Sequence, residues 1–191
     1  MNKRITTEKL ALASILTALV VILQFAGSFL RFGPFSVSMV LIPIVIGTAT
    51  CGAGIGAWLG FVFGAVVLMS GDAGAFLAVN VPGTIITVML KGILCGYISG
   101  VVYKLLARYN RYMAVIAAAF ICPVVNTGVF LLGCFTFFME TISAWALEFG
   151  FPNAGNYMIF GLAGGNFLFE LGLNIILSPV IIRLLNIRKL K

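Results

Sequence analysis

Apolar residues along this chain come in long uncharged runs, separated by short clusters of charge, small residues or proline. Residues 10–30 carry no charge, and these 21 residues exceed the roughly 7–15 of a signal-peptide core. The run therefore predicts a retained transmembrane helix. Residues 32–71 are likewise uncharged; as one helix they would measure about 60 Å against a hydrocarbon core of about 30 Å, so two spans are required. The break falls at Cys51-Gly-Ala-Gly-Ile-Gly56. After a stretch of small and polar residues at 70–81, Pro82 opens a further helix that ends among Lys104, Arg108 and Arg111. The pattern predicts six helices, at about 10–30, 38–50, 55–69, 82–106, 112–138 and 156–182.

Composition agrees with that pattern. Hydrophobic residues make up 62% of the 191 and charged residues 9%, against about 45–50% and about 25% in soluble domains. The expected fold is an all-α integral membrane protein, a compact six-helix bundle forming a single membrane domain over residues 1–191. Six spans consume about 120 residues, which leaves no soluble domain.

The net charge of +7 comes from basic residues placed between the apolar runs, with no surface stripe of the kind that binds nucleic acid. With the N-terminus inside, Lys3, Arg4, Lys9, Lys104, Arg108, Arg111, Arg183, Arg188, Lys189 and Lys191 collect on the cytoplasmic side, and only Arg31 among basic residues lies outside, with Asp72, Glu140 and Glu148. Cytoplasmic loops carry the excess of Lys and Arg, so both termini are expected in the cytoplasm.

Four scattered cysteines and no histidine argue against a zinc site or a disulfide framework, and no metal is expected. No Gly-x-x-x-x-Gly-Lys-Ser/Thr loop occurs, so any ATP-driven motor must be another subunit, and the chain is not expected to be an enzyme. Gly52-Ala-Gly54-Ile-Gly56-Ala57 superficially matches a dinucleotide fingerprint, but the strand and ribose-binding acid are missing, and no cofactor is expected. Gly56, Gly60 and Gly64 repeat every four residues and read instead as a seam for close helix approach. Ser14 and Ala18 form a second small-residue ladder, which by itself signifies only packing.

Lys91 and Glu170 are the two charges that fall well inside spans, and ionisable residues there cost at least about 2.5–3.5 kcal/mol on insertion scales. Asn166, Glu170 and Asn174 are spaced i, i+4, i+8 and share one helix face. Asn126 and Thr127 follow Pro123, whose missing donor frees the Ala119 carbonyl. Two readings stand open: these groups line one ligand cavity, or Lys91 and Glu170 only neutralise each other while the asparagines bond between helices. Phe29, Phe32, Phe35, Phe76, Phe135, Phe137, Phe138, Trp145, Phe149, Phe151 and Tyr157 concentrate toward the outer half. Some are interfacial anchors and the rest can wall an apolar pocket.

Taken in order, the basic start, the small-residue first helix, Val40-Leu-Ile-Pro43-Ile-Val-Ile-Gly47, Gly60-Phe-Val-Phe-Gly64, Leu90-Lys91-Gly92 with Gly96 and Gly100, and the Asn166 to Pro179 segment resemble the substrate-binding S component of energy-coupling factor (ECF) transporters. The similarity covers nearly the whole chain. The resemblance implies a bacterial plasma-membrane protein that captures a vitamin or related micronutrient outside. It further implies a transmembrane T subunit and two ATPases as partners, and delivery by toppling of the loaded S component in the bilayer. It places the T-subunit contact on the first helix at Ser14 and Ala18, serine replacing the family's first alanine. It assigns substrate binding to helices 4 to 6 and the outer loops, hence to Lys91, Asn126, Asn166, Glu170 and Asn174 and to the 72–80 loop with Asp72 and Asn80. The vitamin itself is not selected; riboflavin, pantothenate, folate and cobalamin all fit. A stand-alone secondary carrier would show repeated halves and coupling-ion ligands at mid-membrane, a membrane enzyme a catalytic constellation, and a non-transport scaffold of similar fold would need no buried polar row. The chain shows no convincing repeat and no catalytic constellation, and it has the polar row.

Overall fold

The structure, a computed structural model, describes residues 7–28, 31–32, 35–36 and 39–187. Lys3, Arg4, Phe29, Arg188, Lys189 and Lys191, together with the predicted start of the second span at residue 38, lie outside the described residues. The elements are α1 (Thr7–Ser28), a minimal hairpin of β1 (Arg31–Phe32) and β2 (Phe35–Ser36), α2 (Leu41–Cys51), α3 (Ala53–Met69), α4 (Gly74–Leu77), α5 (Val81–Leu106), α6 (Arg111–Phe137), α7 (Met139–Glu148) and α8 (Ala154–Asn156). A wide π-helical segment, Tyr157–Gly164, then runs into α9 (Gly165–Ile187). Apart from the hairpin, in which Arg31 pairs with Ser36 and Phe32 with Phe35, every described element is helical.

By length and composition four helical stretches are able to cross a membrane: Thr7–Ser28, Val81–Leu106, Arg111–Phe137 and Ala154–Arg183. The helices at Leu41–Cys51 and Ala53–Met69 are apolar but shorter, 11 and 17 residues, or about 16 and 25 Å at the α-helical rise. Of the six predicted spans, two are therefore shorter than the hydrocarbon core. The shorter of them, α2, is wrapped by protein. Its Leu41, Ile44 and Val45 are fully buried and pack with Val20, Leu59, Phe63, Val115, Ala118 and Cys122 in the main core.

Local chemistry sets the boundaries. Gly52 separates α2 from α3 with a φ of 102°, a conformation that costs glycine nothing. The Asn80 side chain accepts from the Gly83 N–H at 3.0 Å, with Pro82 in the first turn of α5, and Asn110 caps α6 through the Tyr112 and Met113 N–H groups at 2.9 and 3.2 Å.

The seam between α3 and α5 is built from glycine on both sides. A Cβ placed on Gly60 would run into the Gly92 carbonyl oxygen, and one on Gly96 into that of Gly56, while Gly64 abuts Val88 and Met89. Backbones this close leave room for hydrogen only. Gly56 thus packs against helix backbone.

The two ends of the bundle differ in charge. Lys9, Lys104 and Arg108 gather with residues 48–53 at one end, where α6 also starts with Arg111. At the opposite end the α1, α3 and α6 C-termini meet the α5 N-terminus.

Candidate functional site

A cavity of about 80 Å³ opens at the end of the bundle away from that basic cluster. Three helical stripes supply most of its polar wall. On α5, Thr84, Thr87 and Lys91 are spaced i, i+3, i+7; on α6, Asn126, Phe130 and Cys134 are spaced i, i+4, i+8; on α9, Asn166 and Glu170 are spaced i, i+4. All are faces of ordinary helices turned inward. Phe63 and Val67 of α3 close another side, and Asp72, Ala73 and Phe76 form the rim.

Glu170, 1% exposed, receives Asn126 Nδ2 on one carboxylate oxygen and Asn166 Nδ2 on the other, both at 3.4 Å. These are long contacts, beyond the usual 2.7–3.2 Å range for N–H to O bonds, and they leave the carboxylate with accepting capacity. Lys91 lines the same cavity with its ammonium over two ring faces, 5.5 Å from the centroid of Phe63 and 5.4 Å from that of Phe130. That is cation–π distance. No carboxylate pairs with it among the described residues. The two intramembrane charges face one space without closing on each other.

Several buried polar atoms around the same space lack hydrogen-bond partners among the described residues: Thr87 Oγ1, Asn126 Oδ1 and Asn166 Oδ1. Thr87 and Asn126 are each 5% exposed. A buried polar atom without a partner costs about 1–3 kcal/mol, so such atoms are uncommon in the absence of a function. Thr87 is held in place because its side chain packs directly on Gly133 of α6.

At the rim, Gln24 Nε2 (2.6 Å), Ser28 Oγ (2.8 Å) and Ser70 Oγ (3.1 Å) all reach Asp72 Oδ2. The carboxylate ties the end of α1 to the turn after α3. Beside it Phe76 is the hub of an edge-to-face aromatic cluster with Phe130, Phe138 and Trp145, at centroid distances of 5.7, 5.0 and 5.5 Å. Phe149 and Phe151 flank Tyr157 at 5.6 and 5.2 Å. Phe135 and Phe137 turn outward.

The chain matches the family model described as the ECF transporter, substrate-specific component, over residues 8–182. It belongs to that family. No curated protein and no solved structure matches it. An ECF substrate-specific component is a substrate-binding membrane subunit that works with T and ATPase subunits, and the four membrane-capable helices agree with a multi-pass membrane protein.

Against this family background the sequence-derived site residues divide. Lys91, Asn126, Asn166, Glu170 and Asp72 line the one cavity. Asn174 does not: its Nδ2 donates to the Glu170 main-chain carbonyl at 2.8 Å, one turn beneath. Asn80 is the α5 cap and borders a separate groove with Thr136 and Glu140. Sequence reasoning passed over Gln24, Thr84, Thr87, Phe63 and Phe130, which also line the cavity. Gln24 was detectable as the sole amide in the first apolar run, and the threonines by their register with Lys91. Ser14 and Ala18 sit on the exposed face of α1, beside exposed Leu10, Ile15 and Ile22, rather than in the internal packing of the chain.

Proposed function

We propose that this chain is the subunit that captures a vitamin or related micronutrient outside a bacterial plasma membrane and delivers it through an ECF importer. Six helices cross the bilayer with both termini cytoplasmic, α2 and α3 being short crossings shielded by their neighbours. The cavity then faces outward, because cytoplasmic ends carry the Lys and Arg excess and the basic cluster of Lys9, Lys104, Arg108 and Arg111 lies at the other end. Lys91, Asn126, Asn166, Glu170, Thr87 and the aromatic rim hold the substrate. Ser14 and Ala18 form the face against which the T subunit packs, and two ATPases drive the loaded protein to topple and release its cargo inward.

The single observation that carries this reading is the cavity in which Lys91 and Glu170 stand unpaired with each other among buried acceptors that lack partners. Charges this deep are costly, and a mere neutralising pair would close. The test starts with mass spectrometry of small molecules retained by the purified protein, followed by uptake of the retained compound into cells with and without the ATPase genes. Uptake should vanish on deletion. Uptake that survives would indicate a stand-alone carrier instead.

A further inference from the structure

The proposed substrate-binding cavity presents two chemically distinct sets of groups, and together they define the kind of molecule that fits it. The first is the Lys91 ammonium, which has three N–H donors and the faces of Phe63 and Phe130 against it, with no hydrogen-bonded acceptor and no ion-paired carboxylate among the described residues. Ring faces stabilise a cation but take no hydrogen bond along an N–H as a carboxylate oxygen does. The second is the set Asn126 Oδ1, Asn166 Oδ1 and Thr87 Oγ1, acceptors without partners among the described residues. The orientation of both amides is fixed, since each spends its NH2 group on Glu170. Their oxygens therefore remain to accept.

The carboxylates of the cavity already have side-chain donors within reach, whereas the ammonium has no acceptor among the described residues. Asp72 Oδ2 is reached by three side-chain donors, and each Glu170 oxygen by one. A purely cationic ligand would meet carboxylates that have donors while being repelled by the ammonium that has no acceptor. A neutral ligand would leave that ammonium unmatched.

We infer that the substrate is a small organic acid whose anionic group docks on Lys91 between Phe63 and Phe130, and whose hydroxyl or N–H donors reach Asn126, Asn166 and Thr87 in the same cavity. This rests on the substrate-binding reading above and narrows it to one chemical class. An uncharged or acid-free cationic vitamin falls outside it.

The experiment takes the full-length protein in mild detergent and identifies the molecules released on denaturation by mass spectrometry in both polarities. The parent should hold an organic acid at about one per chain. Lys91→Met, checked for folding by size exclusion and thermal unfolding, should retain less than a tenth of that amount, and Lys91→Arg, which keeps the charge, should retain more than Lys91→Met. The methyl ester of the retained acid, titrated into protein freed of ligand, should bind at least tenfold more weakly than the acid, a comparison that does not depend on any variant folding. A neutral or acid-free cation bound one to one, a folded Lys91→Met that keeps the acid in full, or an ester that binds as tightly as the acid overturns the assignment of class and leaves the binding role standing. A chain that retains no small molecule overturns both.

Discussion

Glu170 occupies a position where a side chain of the same shape without the charge is informative. It is fully buried, accepts from two asparagines and touches the cavity. Glu170→Gln should lower substrate affinity roughly ten- to a hundredfold, from losing about 1.5–3 kcal/mol of hydrogen bonding to a charged group. Because Lys91 makes no ion pair with it, removing both charges should not restore binding. Calorimetric titration and thermal unfolding of Glu170→Gln, Lys91→Met and the double variant separate the cases, since a double variant that binds like the parent would mean the two residues serve only to neutralise each other. Both charges were legible because an ionised group inside an apolar run is too costly to persist without a role, and Asn126 because it follows Pro123. Gln24 and Thr87 were not, since a single amide or hydroxyl in a membrane helix often bonds its own backbone. Which side it faces is decided by contacts such as that of Thr87 on Gly133, to which no local pattern points. Asn80 and Asn174 show the converse: polar residues near the site whose side chains satisfy backbone groups.

At the level of elements, the α3 and α5 backbones meet through Gly56, Gly60, Gly92 and Gly96. Gly92→Ala should force them apart and destabilise the protein by about 1–3 kcal/mol, the usual effect of overpacking. Gly54→Ala, where a Cβ meets nothing within 4 Å, should be neutral or stabilising by up to about 1 kcal/mol, through the lower entropy cost of alanine in a helix. Thermal melts of the two variants side by side check this, and equal losses would contradict the seam. The four-residue glycine spacing announced that packing, and the cluster after Cys51 announced the break between helices. The π-helical segment and the separate α7 were not announced. Residues 112–139 are uncharged and contain no glycine or proline where α6 gives way to α7, so periodicity runs on through a junction that packing of Phe138 and Ile142 creates. Ala18 lies exposed on α1 and is not among the residues lining the cavity. Ala18→Trp should leave substrate binding intact while abolishing uptake, because an indole there blocks close approach of a partner helix. A parallel fall in binding and uptake would locate the partner contact elsewhere.

For the molecule as a whole, the distribution of charge bears on both orientation and movement. The basic residues Lys9, Lys104, Arg108 and Arg111 gather at the end away from the cavity. Besides Glu170 inside the cavity, that end carries Asp72, engaged by three side chains, and Glu140 and Glu148, exposed on α7. The proposed toppling would carry the binding end through the bilayer, where few uncompensated charges are an advantage, since each is costly near mid-membrane. Such movement requires that the cavity begin outside, which single cysteines can decide in a background with Cys51, Cys95, Cys122 and Cys134 replaced by alanine. Suitable positions are exposed ones that neither cap a helix nor need positive φ, which removes Asn110 and Gly150 and leaves Tyr109 between α5 and α6 and Pro152 after α7. In intact cells a membrane-impermeant maleimide should label Pro152→Cys and spare Tyr109→Cys until the membrane is permeabilised. The reverse pattern would put the cavity on the cytoplasmic face, and labelling of both would place the two loops on the same side and remove the span between them.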